Sequence, residues 1–240
     1  MSIFSKKNHP KREKDLIMTK DVPFSVEEAY KSLRTNLIFS LPEDKCKVIE
    51  ITSSTQNEGK SVTAVNLAIS LAKNGEKVIL IDCDLRLSTV ARKLKIKQKP
   101  GLTDLLFGLN SALDVICHHP SGIDVIPAGN IPPNPSETLG SSRMTTVLEF
   151  MKEHYDFVIL DAPPVGIVTD AAVLAPKVSG IILVVRQGIA RYEEVDAAIN
   201  KLKLAHGNIL GFVLTDAHID AKNYTAREKK TFFSSLKDRI

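Results

Sequence analysis

The segment Ser54-Thr55-Gln56-Asn57-Glu58-Gly59-Lys60-Ser61 contains the densest chemistry in this 240-residue chain. A glycine-lysine-hydroxyl triplet that follows a strand and opens a helix can hold a phosphate. Backbone N–H groups wrap the anion, the helix N-terminus adds partial positive charge, the lysine bridges β- and γ-phosphates, and the hydroxyl ligates Mg²⁺. Lys60 and Ser61 are expected in those roles, with Thr55, Gln56, Asn57, Glu58 and Gly59 forming the cradle and Val62 opening the helix. The strict G-x-x-x-x-G-K-[ST] pattern is broken, because Ser54 stands at its first glycine. Asn57 tolerates a left-handed backbone, so the loop can still close. The competing reading is an ordinary Gly-Lys-Ser turn.

Two apolar stretches end in carboxylates. Val78-Ile79-Leu80-Ile81 runs into Asp82-Cys83-Asp84-Leu85-Arg86, and a period of two puts Asp82 and Asp84 on one side with Cys83 opposite. Their Cα atoms would lie ~7 Å apart if the strand stays extended. Phe157-Val158-Ile159-Leu160 delivers Asp161, followed by Ala162-Pro163-Pro164. Ligands of open α/β sheets bind beyond the carboxyl ends of the strands, where these acids fall. A carboxylate at the end of a buried strand is costly unless it meets a cation. Mg²⁺ and Lys60 are the expected partners. An acid after a strand can also merely cap the next helix; three beside one phosphate loop argue for a site.

Positioning these groups requires a layered α/β fold. From Val48 onward, short β-branched runs alternate with helical stretches, predicting a doubly wound, mostly parallel sheet with helices on both faces, of P-loop NTPase type. Strands are expected near 48–53, 78–83, 123–127, 157–161, 180–185 and 209–214. Ala64, Leu67, Ala68 and Leu71 recur at helical spacing, predicting a helix over 61–73 with Gly75 as its stop. Ser25 with Glu28 reads as a capping box for a helix through about Phe39. Residues 1–20 read as a flexible basic arm, 21–219 as the P-loop domain, and 220–240 as a basic tail.

Composition excludes several alternatives. The longest apolar runs are four to five residues, against the ~20 that cross a bilayer. Neither a signal peptide nor a membrane span is evident, so the chain is expected in the cytoplasm. Three cysteines without CxxC spacing argue against a disulfide framework or zinc site. The net charge of +4 concentrates in the two ends, which could meet anionic lipid or simply be solvated. Nucleic acid is not an expected partner, since the basic residues are not interleaved with aromatics and no recognition motif appears. Adjacent His118 and His119 read as loop residues, and Arg186, after its strand, as a solvated arginine in preference to one that reaches the site edge or a partner.

Over about residues 25–215 the chain resembles the bacterial tyrosine kinases of capsular and exopolysaccharide operons, a branch of the deviant P-loop ATPases. The resemblance rests on the phosphate loop, Ile81-Asp82-Cys83-Asp84-Leu85-Arg86, Leu160-Asp161-Ala162-Pro163-Pro164, the helix Glu28-Ala29-Tyr30-Lys31-Ser32-Leu33-Arg34-Thr35-Asn36-Leu37, and the proline-rich segment 127–137. The signature lysine of the related partition ATPases is replaced by Thr55. The resemblance implies ATP and Mg²⁺ as ligands, with Lys60, Asp82, Asp84 and Arg86 catalytic and Ser61, Asp82 and Asp161 at the metal. Asp84 is then the candidate base for a tyrosine hydroxyl, although the division of labour between Asp82 and Asp84 stays open. Arg86 either steadies phosphates or pairs with an acid.

Glu28, Lys31 and Arg34 match a motif that joins subunits of these kinases into a ring, with Lys31 where the family has arginine. Thr215 stands where relatives often have an asparagine near the adenine. Relatives also end in a tyrosine cluster, whereas only Tyr224 lies beyond residue 200 here. It is the candidate phosphoacceptor, and Tyr30, Tyr155 and Tyr192 are expected to be packing residues. The implied partners are a membrane-anchored activator or co-polymerase subunit, holding the chain at the inner face of the membrane, and a phosphotyrosine phosphatase. The resulting expectation is a protein-tyrosine kinase of polysaccharide synthesis and export. An ATP-driven assembly switch with little kinase activity is the alternative.

Overall fold

The computed structural model describes residues 16–19, 22–42 and 46–217. Its elements, in chain order, are α1 (Phe24–Phe39), β1 (Lys47–Ser53), α2 (Lys60–Ala72), β2 (Val78–Asp82), α3 (Val90–Leu94), α4 (Leu102–Leu106), α5 (Ala112–Val115), β3 (Cys117–His118) and β4 (Asp124–Ile126). There follow α6 (Pro135–Gly140), α7 (Ser142–His154), β5 (Phe157–Asp161), α8 (Asp170–Leu174) with a 3₁₀ turn (Ala175–Lys177), β6 (Gly180–Arg186), α9 (Tyr192–Leu204) and β7 (Ile209–Thr215). The strands form one seven-stranded sheet in the order β3-β4-β2-β5-β1-β6-β7. All pairings are parallel except the two-residue β3, which runs antiparallel to β4.

Helices cover both faces, as expected. On one face α2 contributes Ala64, Val65, Leu67, Ala68, Ile69 and Leu71 to a core that includes Ile49, Ile51, Leu80 and Ile159, with Leu37 of α1 and Val90 and Leu94 of α3. On the other, Leu139, Met144, Leu148, Met151, Leu174, Ala198 and Leu202 pack over Val48, Ile79, Ile81, Val158, Leu160 and Leu183. Each fully buried large aliphatic contributes about 1.5–3 kcal/mol, so the central strands β1, β2 and β5 are the most firmly held part of the sheet. Their carboxyl ends share one edge, since Asp82 lies in register with Asp161, and Ile51 with Asp161.

Two local expectations need correction. Ser25 does not cap α1: the helix begins two residues earlier, at Phe24, with Pro23 at the N-cap and its carbonyl accepting from Val26 and Glu27. Glu28 instead pairs with Lys31. Within the arm expected over 1–20, Met18 is buried and its N–H donates to Asn66 Oδ1 at 2.8 Å, while Asn66 Nδ2 donates to the Leu16 carbonyl at 2.7 Å. Leu16–Thr19 therefore lie against α2. The rest of the basic ends, including Tyr224, is outside the described residues.

Candidate phosphoryl-transfer site

Residues 54–59 join β1 to α2 in the expected strand-loop-helix setting. Asn57 adopts φ 65° and Gly59 φ 93°, the left-handed conformations that asparagine and glycine tolerate best. Ser54, in place of the usual first glycine, is anchored by Glu58. Its hydroxyl donates to the Glu58 carboxylate at 2.9 and 3.0 Å, and the Thr55 N–H donates to Glu58 Oε2 at 2.9 Å. The fully buried Glu58 side chain thus braces the loop from within. The Ser54 carbonyl lies against Gly166, where a Cβ would approach it to 2.0 Å.

Lys60 turns from the head of α2 toward the acids. Its ammonium lies 2.8 Å from Asp84 Oδ2, 3.4 Å from Asp161 Oδ1 and 3.3 Å from Ser61 Oγ. Burial alone would pull the Lys60 pKa down, but Asp161 and Asp84 outweigh it and hold the amine firmly protonated. Asp161 and Asp82 are both fully buried. Burial raises both carboxyls above the usual range; for Asp82 the neighbouring Asp161 adds to the rise, and for Asp161 the Lys60 charge opposes it. Phosphate loop, lysine and all three acids therefore meet at one sheet edge.

The three carboxylates do different things. Asp82 accepts the Asp84 N–H at 3.1 Å on one oxygen and the Val90 N–H at 3.2 Å on the other, fixing the turn after β2. Asp84 Oδ1 accepts the Leu87 N–H at 2.9 Å, leaving Oδ2 for Lys60. Asp161 Oδ2 is buried with no hydrogen-bond partner among the described residues. An orphaned carboxylate oxygen at a site that also holds the Ser61 hydroxyl, 3.3 Å from the Lys60 ammonium, fits a hydrated divalent cation. Among the described residues, no three His, Cys, Asp or Glu side chains close into a metal cage. Mg²⁺, which keeps several waters and takes one or two carboxylates with substrate phosphates, needs none.

Arg86 pairs with an acid that sequence reasoning missed. Its Nε and Nη2 grip the fully buried Asp170 at 2.8 and 3.0 Å, and Ser136 of the proline-rich segment bonds the same carboxylate. The fork ties the end of β2 to α6 and α8. Asp170 gave only the weak signal of an acid at a helix start. Glu50, in the middle of β1, was also missed. It is fully buried, neither carboxyl oxygen has a partner among the described residues, and burial pushes its pKa well up.

On α1, Lys31 pairs with Glu28 at 2.9 Å and Glu27 at 3.6 Å, and Arg34 Nη1 donates to the Ser70 carbonyl of α2 at 2.7 Å. Tyr30 packs beside Asn66 and Thr63, and Tyr155 donates its hydroxyl to Asp124 at 2.7 Å, both as packing residues. Tyr192 departs from that expectation: it opens α9 and is 82% exposed. Arg186, for which solvent was favoured over the site edge, takes the second course: it and Thr215 both contact the phosphate loop, through the Asn57 and Glu58 carbonyls.

Comparison with known proteins agrees with this geometry. A family model described as an AAA domain matches residues 46–204. The tyrosine-protein kinase Etk of Escherichia coli is 38% identical over 205 residues, covering 82% of this chain and 28% of Etk. The chain thus spans less than a third of that relative. Its kinase-domain structure superposes with a TM-score of 0.77 at 36% identity over 87% of each chain. The tyrosine-protein kinase CpsD of Streptococcus agalactiae is 35% identical over 212 residues, covering 85% of this chain and 92% of CpsD. The septum site-determining protein MinD of Pyrococcus horikoshii, complexed with Mg-ADP, gives a TM-score of 0.61 at 26% identity over 70% of each chain. Relatives, fold and site together show that the chain belongs to the bacterial tyrosine-protein kinases, within the P-loop ATPases.

Proposed function

We propose that the chain is an ATP-dependent protein-tyrosine kinase of capsular or exopolysaccharide synthesis and export. The observation that carries this reading is the Lys60 ammonium shared between Asp84 and Asp161 at the mouth of an intact phosphate loop. Phosphoryl transfer asks a protein mainly for positioning and charge neutralisation, which supports this reading of a lysine, a hydroxyl and three carboxylates gathered at one loop. When ATP enters, Lys60 exchanges its carboxylate partners for β- and γ-phosphate oxygens. That exchange frees Asp84 Oδ2, which is then placed to accept the proton of a tyrosine hydroxyl. Ser61 and Asp161 would hold Mg²⁺, which would supply positive charge to offset that of the phosphates. Asp82, engaged with two backbone amides, keeps Asp84 in place. Arg86, clamped by Asp170, holds the proline-rich segment beside the site.

A membrane-anchored activator and a phosphotyrosine phosphatase are the partners this reading implies. Among the described residues no helix is long and apolar enough to cross a membrane; on this reading the activator docks the chain at the inner face of the membrane. Assembly into a ring would use α1, where Glu28, Lys31 and Arg34 lie and Phe24 and Phe39 are 75% and 84% exposed. The second reading, an ATP-driven assembly switch, is favoured by one observation: Tyr30 and Tyr155 are held by packing, leaving Tyr192 as the exposed tyrosine among the described residues.

Incubation with γ-labelled ATP and Mg²⁺, with and without the activator's cytoplasmic segment, tests the proposal. Label on tyrosine that disappears in Lys60→Met supports the kinase. Its loss in Tyr224→Phe or Tyr192→Phe identifies the acceptor. Absence of phosphotyrosine under both conditions rejects the kinase reading.

A further inference from the structure

The phosphate loop is held by its carbonyls from outside. Thr215, the last residue of β7, donates its hydroxyl to the Glu58 carbonyl at 2.7 Å. Arg186, the last residue of β6, donates Nη1 to the Asn57 carbonyl at 3.0 Å. Arg186 is itself gripped by Asp216, through Nε at 2.7 Å and through Nη2. The methyl of Thr215 lies against Gly59, where a Cβ would meet it at 3.3 Å.

Peptide planarity turns these two contacts into a statement about the anion site. In a trans peptide the C=O and the following N–H point in opposite directions. Drawing the Asn57 and Glu58 oxygens outward therefore turns the Glu58 and Gly59 N–H groups the other way, into the loop. Among the described residues neither N–H has an acceptor in the hydrogen bonds found. Successive N–H groups aimed into one concavity are what binds an anion in such loops.

We infer that Thr215 and Arg186 are positioning residues for the phosphate cradle, acting through the loop carbonyls and not on the base. The inference rests on the nucleotide-binding reading above and goes beyond it. It gives the ends of β6 and of the edge strand β7 a role in phosphate affinity, at positions where a base contact is the obvious alternative.

The test separates phosphate from base. Calorimetric titration with Mg²⁺-ATP and with Mg²⁺-tripolyphosphate, which lacks base and ribose, is run on the parent, Thr215→Val, Thr215→Ser and Arg186→Gln proteins. Valine keeps the methyl packing and removes the donor. Loss of one hydrogen bond predicts binding about threefold to tenfold weaker, by the same factor for both ligands. Serine restores it, and Arg186→Gln gives the same pattern independently. Weaker ATP binding with unchanged tripolyphosphate binding would assign Thr215 to the base and overturn the inference. So would unchanged binding of both, or a parent protein that binds ATP but not tripolyphosphate. A parent that binds neither would reject the nucleotide site itself.

Discussion

Lys60→Met should destabilise the nucleotide-free protein as well as silence it, because Lys60 is the internal cation of an acidic cluster. Its ammonium is 2.8 Å from Asp84 and 3.4 Å from Asp161, and the three side chains are 12%, 6% and 0% exposed. Solvent screening is therefore small. Removing one partner of a buried ion pair costs about 3–5 kcal/mol, and methionine retains most of the stem packing, so the loss is electrostatic. At about 2–4 °C per kcal/mol for a domain of this size, the melting temperature should fall by roughly 6–20 °C at pH 8. Thermal unfolding followed by circular dichroism measures it.

Two controls belong to the same experiment. Burial already raises the Asp82 and Asp161 carboxyls, and without the lysine they take up protons more readily, so the penalty should shrink at pH 6. Adding Asp84→Asn to Lys60→Met removes an unpaired charge and should recover part of the loss, a non-additivity expected of residues in contact. A Lys60→Met protein melting within about 2 °C of the parent at pH 8, or strict additivity in the double variant, would refute the account of a shared ammonium.

Other expectations follow from the same geometry. Gly166→Ala drives a Cβ to 2.0 Å from the Ser54 carbonyl; the phosphate loop must shift, and Mg²⁺-ATP affinity should fall about tenfold or more by titration. Glu50→Gln removes a buried carboxyl whose folded pKa lies well above 4.5. Such a group favours the fold below its unfolded pKa and loses that contribution as pH rises, so the variant's gain in melting temperature should be larger at pH 8 than at pH 5. Asp82, raised from 3.8 to about 8, has the same sign. Without nucleotide, stability should therefore decline between about pH 4 and 8, and Mg²⁺-ADP should flatten that slope in a melting series across the range.

Much of this was legible because the informative segments are short and strongly patterned. Apolar runs ending in Asp82 and Asp161 mark strands in a sheet covered on both faces, and the phosphate loop declares itself by the strand before it and the helix after it. Asn57 takes the left-handed conformation its side chain allows. β3 was not foreseen, since two residues held against β4, with His118 bonded to Asp124, carry no hydrophobic period. Glu50 was passed over because strand alternation says which face a residue points to, but when both faces are covered every position is buried. Asp170, Thr215 and Arg186 act across the fold, from positions 34 to 157 residues away from their partners. No local window holds such a signal. The Ser25 cap failed because α1 already begins at Phe24, with the Pro23 carbonyl accepting its first N–H groups, so Ser25 lies inside the helix.

The most direct test of the central claim is a paired count, in one reaction with Mg²⁺-ATP and the activator's cytoplasmic segment, of ADP released and phosphotyrosine formed on protein. A tyrosine kinase with this site predicts early equivalence of the two, mole for mole, and loss of both in Lys60→Met. Steady ADP release with no phosphotyrosine would contradict it and leave an ATP-driven switch.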